Sequence, residues 1–290
     1  MKKSVFGNSR LHRIFAIAGI CLILVAFCQI ARITAEPKRS SDSYKKLEQT
    51  AVTHRKKDKK TQNSTESITN SFDYRDVKID FDKLRQINED ITAWILFDNN
   101  KISYPIVQGK DNEEYLYQMA DKTKNPAGSI FIDFQCSADF TDSHTILYGH
   151  NMKDQSMFGS LKNYYLKEDY FQKNRYFTIY TPTQPLRYEV FAWYEAAAND
   201  DVYQVGFTAD EEFGRFVNQI LSKRYRNVEI SVTQQDRIVT LSTCSSSGKR
   251  FIVHGKQIGI RRGAAVSAAF KDKKAFIGLL PTNVFFLNYD

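Results

Sequence analysis

The stretch Arg237-Ile238-Val239-Thr240-Leu241-Ser242-Thr243-Cys244, Ser245-Ser246-Ser247-Gly248-Lys249, Arg250-Phe251-Ile252-Val253-His254-Gly255-Lys256-Gln257-Ile258-Gly259-Ile260 holds two apolar, β-branched runs around a small polar turn. Runs of this kind, bounded by Ser and Gly, predict two strands joined as a hairpin. In that pairing Cys244 and Arg250 stand opposite one another on one face. A fixed positive charge beside a thiol favours the thiolate, and it also stabilises an oxyanion formed when the thiolate attacks a carbonyl. The plainer alternative is a half-buried strand-end cysteine and a surface arginine, and spacing alone leaves both open.

Upstream, Ile102–Val107, Ser129–Asp133, Thr145–Tyr148, Tyr176–Tyr180 and Arg187–Tyr194 are further short runs rich in Val, Ile, Tyr, Phe and Thr. With few long helices between them, they predict a mostly β fold, a largely antiparallel barrel or sandwich and not a doubly wound sheet. Phe81, Leu84, Ile87, Ile91, Trp94 and Ile95 recur at helical steps, as do Met157, Phe158, Leu161 and Tyr165 within Ser156–Tyr165. Thr208-Ala209-Asp210-Glu211 has capping-box spacing, and Phe213, Phe216, Val217, Ile220 and Leu221 follow on one helical face. That predicts a helix over Thr208–Arg224 inside the longest connection between strands.

The chain has 290 residues, 42% hydrophobic and 26% charged, which excludes a wholly disordered or collagen-like protein. Four cysteines are too few for a disulfide-dense scaffold. The formal charge of +8 divides unevenly: residues 1–60 hold 14 Lys/Arg against 4 Asp/Glu, and residues 61–290 hold 27 against 29. The folded region is therefore not basic, and nucleic acid is not an expected partner.

Ile14–Ala31 is apolar apart from Gln29 and is preceded by Lys2, Lys3, Arg10 and Arg13. It is expected to be an uncleaved membrane signal anchor rather than a cleaved signal peptide, with the N-terminus in the cytoplasm and the folded domain on the extracellular face. The expected division is thus residues 1–33 as a cytoplasmic stub and anchor, 34–70 as a basic polar stalk, 71–260 as the folded domain and 261–290 as a C-terminal extension.

A nucleophilic cysteine usually works with a histidine. His12 and His54 lie outside the expected domain, leaving His144, His150 and His254. Along the hairpin, His254 lies about 13 Å from the cysteine end, too far for direct proton exchange. His150 follows the strand Thr145-Ile146-Leu147-Tyr148-Gly149 at its loop end, where catalytic groups are commonly placed, whereas His144 opens the same strand. His150 is the better partner.

Thr240-Leu241-Ser242-Thr243-Cys244 resembles the T-L-x-T-C signature of sortases, the cysteine transpeptidases of Gram-positive surfaces. Leu147-Tyr148-Gly149-His150-Asn151-Met152-Lys153 with Ser156-Met157-Phe158-Gly159 is similar to the histidine segment of class B members. Tyr104–Asn112 and Gly128–Asp133 extend the likeness, which covers about residues 79–260. The resemblance implies a closed eight-stranded barrel, an N-terminal helix and a long helix between the sixth and seventh strands. It implies that Cys244 attacks the Thr carbonyl of an NPxT-like sorting signal on a secreted protein. His150 then serves as acid and base, and Arg250 holds the peptide and the oxyanion. An amino group of a cell-wall precursor resolves the thioacyl enzyme. Asn112, Leu116, Tyr148, Ser242 and Thr243 are the implied peptide-groove residues, and no metal or cofactor is called for.

Cys136 is expected as an exposed, unpaired thiol, with an inhibitory disulfide to Cys244 as a hypothesis. The rivals are an L,D-type transpeptidase, which Ser242-Thr243-Cys244-Ser245-Ser246 does not fit, a membrane-anchored cysteine peptidase, and a non-catalytic peptide-binding module.

Overall fold

In the computed structural model, which describes residues 9–54, 73–245 and 248–259, the apolar runs become ten strands among five α-helices. Helix α1 (Ser9–Ala51) leads into β1 (Val52–His54), which pairs with β2 (Val77–Ile79). Then come α2 (Phe81–Ile87), β3 (Ile91–Phe97), β4 (Ser103–Val107), β5 (Ile130–Ile132) and β6 (His144–Tyr148). Two single-turn helices, α3 (Asn163–Leu166) and α4 (Tyr170–Lys173), precede β7 (Tyr176–Tyr180) and β8 (Pro185–Ala196). Helix α5 (Glu211–Lys223), β9 (Ile238–Cys244) and β10 (Arg250–Ile258) complete the described chain.

Strands β3 to β10 close into a barrel in the order β10-β8-β7-β3-β4-β5-β6-β9, with β9 returning to β10. Six seams are antiparallel and two, β4·β5 and β6·β9, are parallel. Trp94, Phe97, Phe177, Tyr188, Phe191 and Trp193 are fully buried, with Phe177 stacked between Phe97 at 4.9 Å and Tyr188 at 5.1 Å. Each such side chain stabilises the barrel by roughly 1.5–3 kcal/mol through removal of apolar surface from water.

The expected mostly β barrel with helical insertions is the observed one, and α5 sits between the sixth and seventh barrel strands. Several local expectations need correction. The helical stripe ends at Ile87; Ile91, Trp94 and Ile95 belong to β3, which is buried almost throughout, so its apolar residues do not alternate. A short all-apolar run fits either period. Within Ser156–Tyr165 only the end is helical, because Gln155 and Met157 take left-handed backbone conformations and the chain turns through them. The cap of α5 is Asp210, not Thr208: its carboxylate accepts from the N–H groups of Glu212 and Phe213, while the Thr208 hydroxyl donates to that carboxylate.

Among the described residues no helix is long and apolar enough to cross a membrane. This overturns the expected anchor over Ile14–Ala31 and the cell-membrane location built on it. The apolar run is one part of a 43-residue helix whose remainder is largely polar and charged. Nor are residues 34–51 a free stalk. Ser40, Tyr44, Leu47 and Ala51 are buried, and the Tyr44 hydroxyl donates to the Gly128 carbonyl at 2.6 Å. Ser43 donates to Asp121 at 2.7 Å, and the rings of Tyr44 and Tyr104 meet edge to face at 5.2 Å. Polar composition hid this docking, because the burying residues are only one per turn. Gly128 has φ +54°, and a Cβ there would lie 2.3 Å from the Leu116 carbonyl oxygen, so only glycine lets these two backbones meet. The expected C-terminal extension, 261–290, and residues 55–70 lie outside the described residues.

Candidate active site

At one end of the barrel, β6 and β9 run parallel, with Tyr148 beside Ser242, so both strands deliver their following residues to the same rim. Cys244 ends β9 with its side chain exposed, and Arg250 opens β10 directly opposite it. The Ser245 N–H donates to the Lys249 carbonyl at 2.9 Å and closes the turn. The Ser245 hydroxyl also donates to Glu195 on β8. Among the described residues no carboxylate pairs with Arg250; its Nη1 reaches only the Lys249 carbonyl, at 3.4 Å. A guanidinium left free of carboxylates keeps its donors for a ligand.

His150 is fixed from several sides. The Gly149 N–H donates to the Ser242 carbonyl at 3.1 Å, and the Phe158 N–H donates to the His150 carbonyl at 3.0 Å. A Cβ on Gly149 would sit 2.6 Å from the Phe158 ring, so that ring closes over the residue before the imidazole. Asn151 donates through Nδ2 to the Cys244 carbonyl at 2.7 Å, tying the histidine loop to the cysteine strand. The imidazole Nε2 is 2.6 Å from the Leu116 carbonyl. A carbonyl can only accept, so Nε2 carries the proton and Nδ1 of the neutral ring is bare. The Tyr117 ring lies 5.6 Å from the imidazole.

His150, Cys244 and Arg250 line one cleft of about 480 Å³ together with Asn112, Leu116, Tyr148, Ser242 and Thr243. All eight residues nominated from the sequence are therefore brought together. The polar ends of three are already engaged: Asp133 accepts from Asn112 Nδ2 at 2.9 Å and from the Tyr148 hydroxyl at 2.8 Å, and Ser242 bonds Tyr203 at 3.0 Å. Burial, with Asp133 beside it, raises the Tyr148 phenol well above its ordinary value, so this group donates and does not act as a base. Thr243 Oγ1 is buried in the cleft wall with no partner among the described residues.

Sequence reasoning missed Asp133, Tyr203 and Val205, which also line the cleft. Asp133 ends a run that had been read as a strand, but nothing in its spacing marks it as the acceptor shared by Asn112 and Tyr148. Tyr203 and Val205 come from the connection before α5, which carries no local motif. His144 and His254 are fully buried and absent from the cleft. Cys136 is not the exposed thiol expected: it is buried, its Sγ lies 3.8 Å from the His144 carbonyl, and burial pushes its thiol up to about 12.

This arrangement suits acyl transfer. A strand-end thiol faces a cation across the hairpin, an imidazole shares its cleft, and Leu116, Phe131 and Val205 give that cleft an apolar wall.

Residues 97–258 match the family model described as a sortase domain. The chain is 29% identical over 258 residues to sortase B of Staphylococcus aureus (strain NCTC 8325 / PS 47), covering 87% of this chain and 99% of that protein. Among solved structures, sortase B from B. anthracis in complex with AAEK1 is similar at 31% identity and a TM-score of 0.64, covering 78% of this chain and 99% of that one. A Staphylococcus aureus sortase B–substrate complex is similar at 33% identity and a TM-score of 0.58, covering 62% of this chain and 85% of that one.

Proposed function

The chain belongs to the sortase family, as a cysteine transpeptidase of class B, and from that premise we propose which of its residues carry each step. His150 takes the Cys244 thiol proton onto its bare Nδ1, and the thiolate so formed attacks the Thr carbonyl of an NPxT-like sorting signal. The new C–S bond gives a tetrahedral oxyanion, which Arg250 stabilises with its planar fork of donors. The C–N bond then breaks, and His150 gives a proton from Nδ1 to the departing amine, leaving a thioester on Cys244. An incoming amine attacks the thioester, His150 takes its proton back, and the thiolate leaves. The neutral ring's bare Nδ1, implied by the bond from Nε2 to the Leu116 carbonyl, supports this choice of atom.

Asn112, Leu116, Tyr148, Ser242 and Thr243 hold the signal. The unpartnered Thr243 hydroxyl offers a hydrogen bond to a peptide that nothing in the described protein takes. The acceptor is an amino group of a cell-wall precursor. A substrate complex and a complex with triglycine are known for similar sortase B structures, which fits a peptide donor and an amine acceptor here. The single observation that carries the proposal is the convergence of Cys244, His150 and Arg250 on one cleft, with Asn151 bridging the two strands.

The test uses the full chain with quenched-fluorophore peptides of NPxT and LPxTG type, with and without triglycine. Cleavage after Thr with triglycine joined to the product is expected, and Cys244→Ala should abolish it. Arg250→Lys should leave only a trace, because one ammonium does not reproduce the fork; near wild-type rates in that variant would remove the oxyanion role. Acid product alone, whatever the amine, would mark a hydrolytic peptidase instead.

A further inference from the structure

Behind the cleft, the barrel wall holds a line of buried polar groups that the transfer chemistry does not use. His144 opens β6, Thr240 lies in β9, and His254 stands opposite Thr240 on β10; none of the three is exposed. His144 Nδ1 is 2.8 Å from the Gln204 carbonyl, and its Nε2 is 2.7 Å from Thr240 Oγ1. Thr240 Oγ1 is 2.9 Å from His254 Nδ1, and His254 Nε2 is 3.1 Å from the Tyr194 hydroxyl.

One end of this line fixes the direction of every bond in it. The Gln204 carbonyl can only accept, so His144 carries its proton on Nδ1. Burial pushes His144 down to about 4 and His254 well below its ordinary value, so both rings are neutral. His144 Nε2 is then bare and accepts a hydrogen bond from the Thr240 hydroxyl. With that proton committed, Thr240 accepts from His254 Nδ1. His254 Nε2 is bare in turn, and Tyr194 donates to it. A reversed order would need a donor at the Gln204 carbonyl, which has none.

The carbonyl at the end of the chain lies between Tyr203 and Val205, two residues of the cleft wall. Tyr203 reaches across to Ser242, and its ring stacks over Tyr148 at 6.3 Å. The Gln204 side chain donates to Glu212 in the first turn of α5 at 2.9 Å. Phe207 and Phe216 pack on the His144 ring at 6.3 and 4.9 Å. The connection between β8 and α5 is thus held from inside the barrel at the Gln204 carbonyl, between the wall residues Tyr203 and Val205. A carbonyl and an imidazole meeting in a dry interior form a directional anchor, which apolar packing alone does not supply.

We propose that Tyr194, His254, Thr240 and His144 form a proton-ordered chain that positions the Tyr203–Val205 wall and so sets how tightly the cleft holds its peptide, without touching the reacting atoms. They are positioning residues, and the inference rests on the cleft being a peptide groove. In the full chain, 15N-labelled imidazole spectra at neutral pH should show His144 and His254 each protonated at Nδ1 and bare at Nε2. Peptide Kd, measured in a Cys244→Ala background, should rise at least fivefold in Thr240→Val and stay within twofold in Thr240→Ser, which keeps the hydroxyl. In otherwise wild-type enzyme, iodoacetamide should alkylate Cys244 at the same rate in both variants. Either ring protonated at Nε2, or an unchanged Kd in Thr240→Val, would overturn the proposal. If Thr240→Val does not fold, His144→Asn, whose amide retains a donor for the Gln204 carbonyl, should bind peptide more tightly than His144→Leu; equal affinities would overturn it. Peptide binding without any turnover by wild-type enzyme would sink the transpeptidase assignment and leave the chain to be judged on tautomers and affinities alone.

Discussion

Acid should destabilise this barrel before Asp80 and Asp210 give up their contribution, because two histidines are buried in it. In the unfolded chain, His144 and His254 take up protons below about pH 6.5. In the folded barrel His144 resists protonation until about 4, and burial holds His254 well below its ordinary value too, because it penalises the charged ring. Between those limits the unfolded state binds more protons, so stability falls as pH falls. For His144 the displacement from 6.5 to about 4 corresponds to about 3 kcal/mol, of which about 2 kcal/mol is already lost by pH 5. His254 adds a loss of the same sign. The carboxylates with depressed values act lower in the range. Asp80 is held down by the Lys83 N–H, and Asp210 by Thr208 and the Phe213 N–H, so both give up their contribution only as pH falls below about 4. Urea unfolding followed by the fluorescence of the buried Trp94 and Trp193 at pH 7, 6, 5 and 4.5 measures the slope directly. A flat stability between pH 6.5 and 5 would refute the assignment of two neutral interior imidazoles.

Other outcomes follow from particular contacts. Gly149→Ala should press a methyl into the Phe158 ring, cost about 1–3 kcal/mol and cut turnover at least tenfold by shifting His150; Phe158→Leu in the same chain should restore part of the rate. Brief alkylation at pH 7 followed by peptide mapping should find Cys244 modified and Cys136 untouched until denaturant is added, and a disulfide between them under mild oxidation would contradict the burial of Cys136. Tyr44→Phe strips the hydrogen bond from the buried Gly128 carbonyl and should lower stability by about 1–3 kcal/mol in urea, whereas no loss would mean that this hydrogen bond does not help to dock α1 on the barrel.

What the sequence disclosed depended on how many faces of each element are covered. Seven of the eight barrel strands announce themselves as bounded β-branched runs. The eighth, β3, does not, because burial on both sides erases the alternation and leaves Ile91, Trp94 and Ile95 at what looks like helical spacing. Helix α5 was legible since its apolar face, Phe213, Phe216, Val217 and Ile220, is one-sided. The docked part of α1 was not, since Tyr44, Leu47 and Ala51 are sparse among polar neighbours. In the site, the Cys244–Arg250 pairing is local and follows from a short turn, and His150 could be chosen over two other histidines by its place at a strand end. Asp133 and Tyr203 could not, because their roles arise only when loops distant in sequence meet across the cleft.

The parallel seam between β6 and β9 has a bearing on when the protein can react at all. Asn151 and Cys244 are 93 residues apart in the chain, yet hydrogen-bonded across that seam. A contact between segments so distant must overcome the loop entropy of the intervening chain before it is formed. Hairpins such as β9–β10 can assemble early and already pair Cys244 with Arg250. The imidazole reaches the thiol's cleft only once the ring of strands has joined. On the proposed mechanism, a chain with only the β9–β10 hairpin formed would pair Cys244 with Arg250 but lack His150 in the cleft, so transfer would need the closed barrel.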